Sequence, residues 1–279
     1  MQALTDLEIG VMFWAGRDPL ETIRELKSLG AGCGQMGIPG DFKLAGAAAG
    51  WKDALDAEQF PLVTVFAAFA GEDYADIPTV ERTVGFIPPA TRAAREARTW
   101  AISDFAAALG APSIALHAGF VPEDTSDPNY VAVREMVRRV CDHAAGHSQT
   151  FALETGQEPA EVLLRFFEDV NRPNLRINFD PANMILYGSG DPIDALDVLG
   201  KHVVSVHAKD GDWPPKGVAG ALGTERPLGQ GAVGMDRFIA KLKQIGYRGT
   251  LNVEREGTAP EQWRADVRMA IELLMRLRA

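Results

Sequence analysis

Four side chains of types that bind metal ions in proteins each end a short apolar run of the sequence. They are Glu154, Asp180, His207 and Glu254. The residue just before each one is large and apolar, and the residue two positions earlier is small or polar. Because side chains alternate between the two faces of a β-strand, this pattern predicts that the four metal-binding types share one face of four strands.

A divalent metal ion would explain why three carboxylates and an imidazole share one buried face. Carboxylates close together repel one another, and burying each one without a partner costs several kcal/mol. A bound cation removes both costs. Three oxygen ligands and one nitrogen favour one Mn²⁺ ion, with Mg²⁺, Co²⁺ or Zn²⁺ as alternatives. Any single acid is more often paired with the backbone or an arginine, but four ligands at one depth favour an ion.

Eight apolar runs alternate with helical patterns, and these elements would position the four side chains. The predicted strands cover residues 8–14, 32–38, 61–69, 113–119, 150–156, 175–180, 203–209 and 250–254. The predicted helices cover 18–30, 43–59, 91–109, 129–147, 159–170, 236–245 and 260–277, with one more starting at Asp191-Pro192. Strict alternation predicts a parallel sheet. Eight such units in 279 residues predict a single (β/α)8 TIM barrel domain over residues 1–279, with an open doubly wound sheet as the alternative.

Two long connections are expected at the end of the barrel where its strands finish, which is where such barrels carry their active sites. They cover residues 70–90 and 211–233, and the second is dense in Gly and Pro. Long loops at this end are often lids over a site.

Composition and charge exclude several classes of partner. The net charge is −10 and no Lys/Arg cluster stands out, which argues against nucleic acid and against an anionic membrane surface. No apolar stretch reaches the roughly 18 residues of a membrane span, and residues 1–10 do not resemble a secretion signal. Cys33 and Cys141 are interpreted as buried free thiols. We therefore expect a cytoplasmic protein with a small-molecule substrate.

Five further residues near the predicted strands are candidates for substrate binding: His117, Lys209, Glu256, Gln35 and Trp14. His117 would reach the substrate or hydrogen-bond a metal ligand, or else be a buried structural histidine. Lys209 would bind a sugar oxygen, a phosphate or an enediolate, or else lie on the surface. Glu256 would be a second base or a rim charge. Gln35 and Trp14 would form part of the pocket wall or simply pack in the core.

Two other motifs are not expected to carry the function. His143 and His147 are four residues apart on a predicted helix, a spacing that can bind zinc, but they lack the glutamate of H-E-x-x-H. That helix would lie outside the barrel, so we expect surface residues. Residues 32–37 match G-x-G-x-x-G, but they follow a helix and continue as a strand, the reverse of a dinucleotide site.

Six short motifs together resemble the xylose isomerase-like sugar phosphate isomerase/epimerase superfamily. They are LETG at 153–156, NFDPAN at 178–183, VHAKD at 206–210, GQG at 229–231, GYRG at 246–249 and NVERE at 252–256. The resemblance covers roughly residues 110–260 well and the first third of the chain more loosely. As a set the motifs are specific for the superfamily, although not for one substrate.

The resemblance implies a sugar isomerase or epimerase that transfers a proton through a metal-stabilised enediolate. In the ketose 3-epimerases of this group, the residues that correspond to Glu154 and Glu254 bind the metal and also act as acid and base. One carboxylate removes the proton beside a carbonyl and the other returns it. The alternatives are a metal-dependent lyase or hydrolase on a keto sugar, and a non-catalytic barrel that binds a polyol. A homo-oligomer is compatible with the resemblance.

The chain departs from the ketose 3-epimerase pattern around the expected substrate. Asn183 stands where those enzymes have a histidine, Trp213 where they have an arginine, and Ala160 where they have a second glutamate. Asn183 and Trp213 are therefore candidate substrate-binding residues of a different kind. Endonuclease IV-like repair enzymes share the barrel, but they bind three metal ions with several more histidines, and the acidic charge of this chain disagrees with duplex binding.

Overall fold

Eight parallel strands close into a barrel in a computed structural model of the protein, which describes residues 4–279. The barrel strands are β1 (Ile9–Trp14), β2 (Cys33–Ile38), β3 (Leu62–Ala67), β4 (Ser113–Leu116), β5 (Thr150–Glu154), β6 (Leu175–Phe179), β7 (Val203–Ala208) and β10 (Thr250–Val253). Two short strands, β8 (Asp210–Asp212) and β9 (Thr224–Arg226), form an antiparallel hairpin beside it. The barrel order is β1-β10-β7-β6-β5-β4-β3-β2. The (β/α)8 prediction is confirmed, and the open-sheet alternative is wrong.

Helices connect the strands and cover the outside of the barrel. The described residues form α1 (Pro19–Leu29), α2 (Ala47–Ala57), α3 (Ile77–Thr83), α4 (Arg92–Leu109), α5 (Pro128–Gly146), α6 (Ala160–Val170), α7 (Pro181–Tyr187), α8 (Pro192–Leu199), α9 (Met235–Gln244) and α10 (Pro260–Arg278). An aspartate followed by proline begins α1, α5, α7 and α8. The aspartate caps free backbone N–H groups and the proline has its φ angle preset for the first turn. None of these helices has both the length and the apolar character needed to cross a membrane.

The apolar core lies between the barrel and its helices. Leu153, Phe179, Val206 and Val253, which precede the four metal-binding types, are all buried in this outer layer. Inside the barrel, a separate small apolar cluster contains Met12, Phe66, Ala115 and Ala152. The alternation of faces along β5, β6, β7 and β10 therefore turns the polar end residues inward, toward the barrel axis.

Strand register brings the ends of these strands to a common level. Glu154 in β5 pairs with Asn178 in β6, and Asn252 in β10 pairs with His207 in β7. A register shift at Ile177/Asn178 adjusts the pairing between β6 and β7.

The connections contain more regular structure than the sequence pattern predicts. Helix α3 lies within the 70–90 connection, and the β8–β9 hairpin begins one residue before the 211–233 connection and otherwise lies within it. Helix α7 follows β6 directly, where no helix is predicted. Each of these elements is short, with seven residues in α3 and in α7, so none gives the long apolar repeat by which helices are recognised in a sequence.

Candidate metal and substrate site

The four candidate metal ligands meet at the carboxyl end of the barrel. Glu154 is the last residue of β5, Asp180 follows β6, His207 lies in β7 and Glu254 follows β10. One ligand atom from each side chain lies within 4.8 Å of the others. Glu154, Asp180 and His207 are buried, and Glu254 is nearly so.

The imidazole of His207 faces all three carboxylates through one ring nitrogen. His207 Nδ1 lies 2.7 Å from Glu154 Oε1, 3.0 Å from Glu254 Oε2 and 3.8 Å from Asp180 Oδ2. The other nitrogen, Nε2, lies 2.6 Å from Gln35 Oε1. Because a carbonyl oxygen only accepts hydrogen bonds, Gln35 keeps a proton on Nε2, so a neutral imidazole would carry its lone pair on Nδ1. Nδ1 points at the carboxylates, as a metal ligand would.

Gln35 is itself held by a chain of hydrogen bonds inside the barrel. Its Nε2 donates to Asn178 Oδ1 at 3.1 Å, and Ser205 Oγ donates to the same oxygen at 2.5 Å. Gln35 is fully buried behind His207 and does not line the cavity described below. Of the two alternatives for Gln35, pocket wall or internal packing, these contacts favour packing inside the barrel, where its side chain orients the histidine.

Asp180 uses its two carboxylate oxygens differently. Oδ1 accepts a hydrogen bond from Asn183 N at 2.8 Å and caps helix α7, whereas Oδ2 faces the site without a hydrogen-bond partner. Thr155 holds the backbone of Asp180, with its Oγ1 2.8 Å from Asp180 N and 2.9 Å from Asp180 O. The Asn183 side chain lies over the same group, with Nδ2 3.4 Å from Glu154 Oε1.

The donor set fits a divalent metal ion. Three buried carboxylate oxygens in it, Glu154 Oε2, Asp180 Oδ2 and Glu254 Oε2, accept no well-aligned hydrogen bond, although side-chain nitrogens lie within 4 Å of each. Leaving such oxygens buried and unsatisfied is costly, and the cost is higher when they carry like charges. Carboxylate oxygens with one imidazole nitrogen are a usual ligand set for a divalent cation. This Glu/Asp/His/Glu group could therefore hold a metal ion.

Burial and mutual repulsion perturb the titration of this group. Burial raises the pKa of the Glu154 carboxyl to about 8, and it raises the pKa of Asp180 as well. Burial also raises the pKa of Glu254, but His207 and Lys209 outweigh it and hold that pKa well below its usual value. For His207, burial lowers the pKa, but Glu254 and Glu154 raise it more, to well above the usual value. A metal ion entering the group has to displace protons, so its affinity should rise with pH.

Lys209 is buried among carboxylates, which rules out the alternative of a surface lysine. Its Nζ lies 3.3 Å from Glu254 Oε2, 3.4 Å from Glu256 Oε2, 3.7 Å from Glu225 Oε2 and 3.9 Å from Asp180 Oδ2. Burial lowers the pKa of Lys209, but these four carboxylates raise it more, to well above its usual value. The ammonium group is therefore a fixed positive charge beside the metal-binding group.

A cavity of about 320 Å³ lies next to the group, with Glu254 in its lining. Five of the predicted substrate-binding residues line it: Trp14, His117, Asn183, Lys209 and Glu256. Trp213 does not line it, because this residue follows β8 and its side chain points into solvent, 45% exposed.

His117 is a neutral, hydrogen-bonding wall of this cavity. Its Nε2 lies 3.0 Å from Glu154 Oε2, and its ring contacts the rings of Phe66 and Tyr74, with centroids 5.5 and 5.8 Å away. Burial lowers the pKa of His117 to about 3, so the imidazole is uncharged and its contact with Glu154 is not an ion pair. His117 Nδ1 is buried without a hydrogen-bond partner and is free to bond a ligand.

The sequence reasoning missed three polar residues that line the cavity: Glu225, Tyr74 and Tyr187. Glu225 comes from β9, faces Lys209 and accepts hydrogen bonds from Arg255 at 2.5 Å and from Glu256 N at 3.0 Å. All three lie in connections or in the short helix α7, where neither strand parity nor helical periodicity indicates which side chains point inward.

A second group that could hold a metal ion lies outside the barrel. Asp104 on α4 and His143 on α5, with His147 just after α5, bring their ligand atoms within 4.8 Å of one another. Both histidine Nε2 atoms lie 2.8 Å from Asp104 Oδ1. The two histidines lie on the outer surface as expected, and Asp104 is the partner that their spacing alone did not reveal.

The described geometry can be compared with that of known proteins. Residues 23–273 match the model of the xylose isomerase-like TIM barrel family. The chain belongs to this family. A xylose isomerase domain protein from Planctomyces limnophilus is 44% identical to it, and the crystal structure of that protein superposes with a TM-score of 0.93 over 98% of each chain.

Other similar proteins are more distant. An uncharacterized protein of Methanocaldococcus jannaschii is 25% identical over 160 residues, which are 53% of this chain and 52% of that protein, so the chain spans about half the length of this curated relative. A D-allulose 3-epimerase from Methylomonas sp. superposes with a TM-score of 0.71 at 18% identity, over 99% of this chain and 100% of that one. A 3-keto-D-glucoside 4-epimerase from E. coli gives 0.69 at 17% identity, over 97% and 99%. These two structures share the fold.

Proposed function

We propose that this chain is a metal-dependent sugar isomerase or epimerase that moves a proton on a carbon next to the carbonyl group of a sugar. The observation that supports the proposal is the convergence of one imidazole, that of His207, with the buried carboxylates of Glu154, Asp180 and Glu254. Glu254 of this group lines a cavity whose walls carry further hydrogen-bonding side chains. The sugar epimerases among the structural neighbours are consistent with it.

Glu154, Asp180, His207 and Glu254 would hold one divalent ion, with Mn²⁺ as the first choice. Once bound, the ion would stabilise the negative charge that develops on substrate oxygens when a carbon-bound proton leaves.

Glu154 and Glu254 are the proposed acid and base. Lys209 Nζ lies 3.3 Å from Glu254 Oε2, and this positive charge favours the ionised carboxylate that a base requires. Glu154 lies against the His117 and Asn183 side chains on another side of the group, where it would return the proton. Both residues would stay close to the reacting carbon throughout.

The remaining cavity residues would bind and orient the sugar. His117, Asn183 and Lys209 offer hydrogen bonds to hydroxyl and carbonyl oxygens, and Glu256 accepts hydrogen bonds at the rim. Trp14 also lines the cavity, and its indole would pack against the apolar side of a sugar ring. Closure of this pocket around the substrate would exclude water from the transferred proton.

Exchange of carbon-bound hydrogen tests the proposal. The protein loaded with Mn²⁺ should catalyse incorporation of deuterium from D2O at a carbon next to the carbonyl group of a keto sugar, as followed by NMR. Glu254→Gln should abolish this exchange. Asp104→Asn makes the same acid-to-amide change on the outer surface and should leave the exchange intact.

NMR of the products separates the alternatives. An epimerase or isomerase gives a second sugar of the same mass, whereas a lyase or hydrolase exchanges the same hydrogen but releases a fragment. If the Mn²⁺ form exchanges no carbon-bound hydrogen of any keto sugar in a broad panel, proton transfer is excluded and a non-catalytic polyol-binding barrel becomes the better explanation.

A further inference from the structure

A second cavity, of about 250 Å³, lies beside the one next to the metal-binding group. The two cavities share four lining residues: Met12, Trp14, Glu254 and Glu256. We call the second cavity the side cleft. Because Glu254 and Glu256 border both spaces, the side cleft adjoins the place where a substrate would react beside Glu254.

The side cleft has aromatic walls and an unused hydroxyl group. Trp14, at the end of β1, is 42% exposed, so its indole is not packed in the core. Trp263, in the first turn of α10, is the second tryptophan of the cleft. Thr258 also borders the cleft, and its Oγ1 is buried without a hydrogen-bond partner. Aromatic faces with a free hydroxyl at the edge suit a ring that is apolar on its faces and polar around its rim.

The charges of the side cleft suit a neutral, hydroxyl-bearing ligand. Arg17 and Arg264 both pair with one carboxylate, that of Glu25, with the Arg17 contact at 2.6 Å and the Arg264 contact at 2.5 Å. A guanidinium group has five N–H donors, so sharing one carboxylate leaves donors free for ligand oxygens. Arg255 is already used by the carboxylates of Glu225 and Asp266.

We propose that the side cleft binds a second sugar ring, so that the substrate is a glycoside in which a keto sugar carries another sugar. The reacting ring would occupy the cavity next to the metal-binding group, and the second ring would lie in the side cleft against Trp14 and Trp263. This assignment rests on the proposed function for the identity of the reacting ring. A monosaccharide would leave the side cleft and the hydroxyl of Thr258 without a ligand.

Three matched compounds test the assignment. They are methyl glucoside, a glucosyl-glucose disaccharide and phenyl glucoside, and in each one the same ring carbon has been oxidised to a ketone. Deuterium exchange by the Mn²⁺ form should show a KM about tenfold lower for the disaccharide than for the methyl ketone, the size expected of one added ring contact. Trp263→Ala should remove this difference by raising the KM of the disaccharide alone. Trp263→Phe and Thr258→Val disturb the fold less, and each should raise the KM of the disaccharide by a smaller factor than Trp263→Ala does.

Trp100→Ala is the matched control, because Trp100 lies on α4 against His143 and lines neither cavity. It should leave both KM values unchanged. Calorimetric binding of the same ketones to Glu254→Gln gives a readout that does not depend on turnover. The disaccharide should bind more tightly than the methyl ketone, and Trp263→Ala in this background should cancel the gain.

The outcomes separate the two proposals. Absence of exchange with all three ketones, together with tighter binding of the disaccharide that depends on Trp263, would contradict the proposed reaction and support the second-ring site. Equal binding of the disaccharide and the methyl ketone would overturn the second-ring site even if exchange is fast. Phenyl glycoside binding as tight as that of the disaccharide and insensitive to Thr258→Val would overturn a sugar as the second ring.

Discussion

At the scale of single residues, Gln35 has the largest expected effect on metal binding among the residues that would not touch the ion. Gln35→Met keeps the length of the side chain but removes the oxygen that accepts from His207 Nε2. Without that acceptor the imidazole loses its fixed tautomer and orientation. We expect the affinity for Mn²⁺ to fall roughly 10–100-fold, the usual effect of removing such a partner, as measured by calorimetric titration.

Gln149→Met is the control for this prediction. Gln149 is also buried and hydrogen-bonded, to Ser103 and Ala111, but it precedes β5 at the opposite end of that strand from Glu154. Its loss should lower stability and leave the Mn²⁺ affinity unchanged. Equal loss of affinity in the two variants would mean that Gln35 acts only through general stability.

At the scale of elements, a buried acid links two connections on the rim of the barrel. Glu158, between β5 and α6, is buried and accepts a hydrogen bond from Val121 N, in the connection after β4, at 2.7 Å. Burial raises its pKa from 4.5 to about 7, which corresponds to about 3 kcal/mol. The folded protein binds this proton more tightly than the unfolded chain. The contribution to stability is therefore complete below pH 4.5 and is lost as the pH rises through about 7.

Glu158→Gln tests this dependence, because an amide keeps the accepting oxygen and does not ionise. The free energy of unfolding from urea titrations should be similar for the two proteins at pH 5. The wild type should become the less stable of the two as the pH approaches 8. A constant difference between them across this range would show that Glu158 does not titrate as described.

The same scale shows which parts of the site could be predicted from sequence. The inward-facing residues at the strand ends are predictable. In β5, β6, β7 and β10 side chains alternate between the two faces, and each candidate metal ligand directly follows a large apolar residue that is buried on the other face. The role of Gln35 is not predictable from the sequence, since it depends on a contact across the barrel with His207, which is 172 residues away along the chain. Glu225 was missed because it lies on the β8–β9 hairpin, where three-residue strands give no alternation to read. Asp180-Pro181 was interpreted only as a ligand position, although the same dipeptide also starts α7.

At the scale of the whole molecule, a metal ion would connect strands that the chain supplies one after another. The ligands come from β5, β6, β7 and β10, and Gln35 reaches them from β2 on another side of the barrel. In the metal-free protein, like-charged carboxylates crowd at that point. Binding should therefore stabilise the whole barrel as one cooperative unit.

We expect saturating Mn²⁺ to raise the melting temperature by several degrees, since a ligand at about 100 times its Kd adds about 2.7 kcal/mol to the stability of the folded state. Asp180→Asn should abolish most of this shift in scanning calorimetry, because it removes the charge of the unpartnered Oδ2 while an amide can still cap α7. His147→Ala removes one residue of the outer group that also contains Asp104 and His143, and this variant should keep the rise in melting temperature with Mn²⁺. The reverse pattern, with the shift lost in His147→Ala and kept in Asp180→Asn, would assign the stabilising ion to the outer surface and leave the barrel group without one.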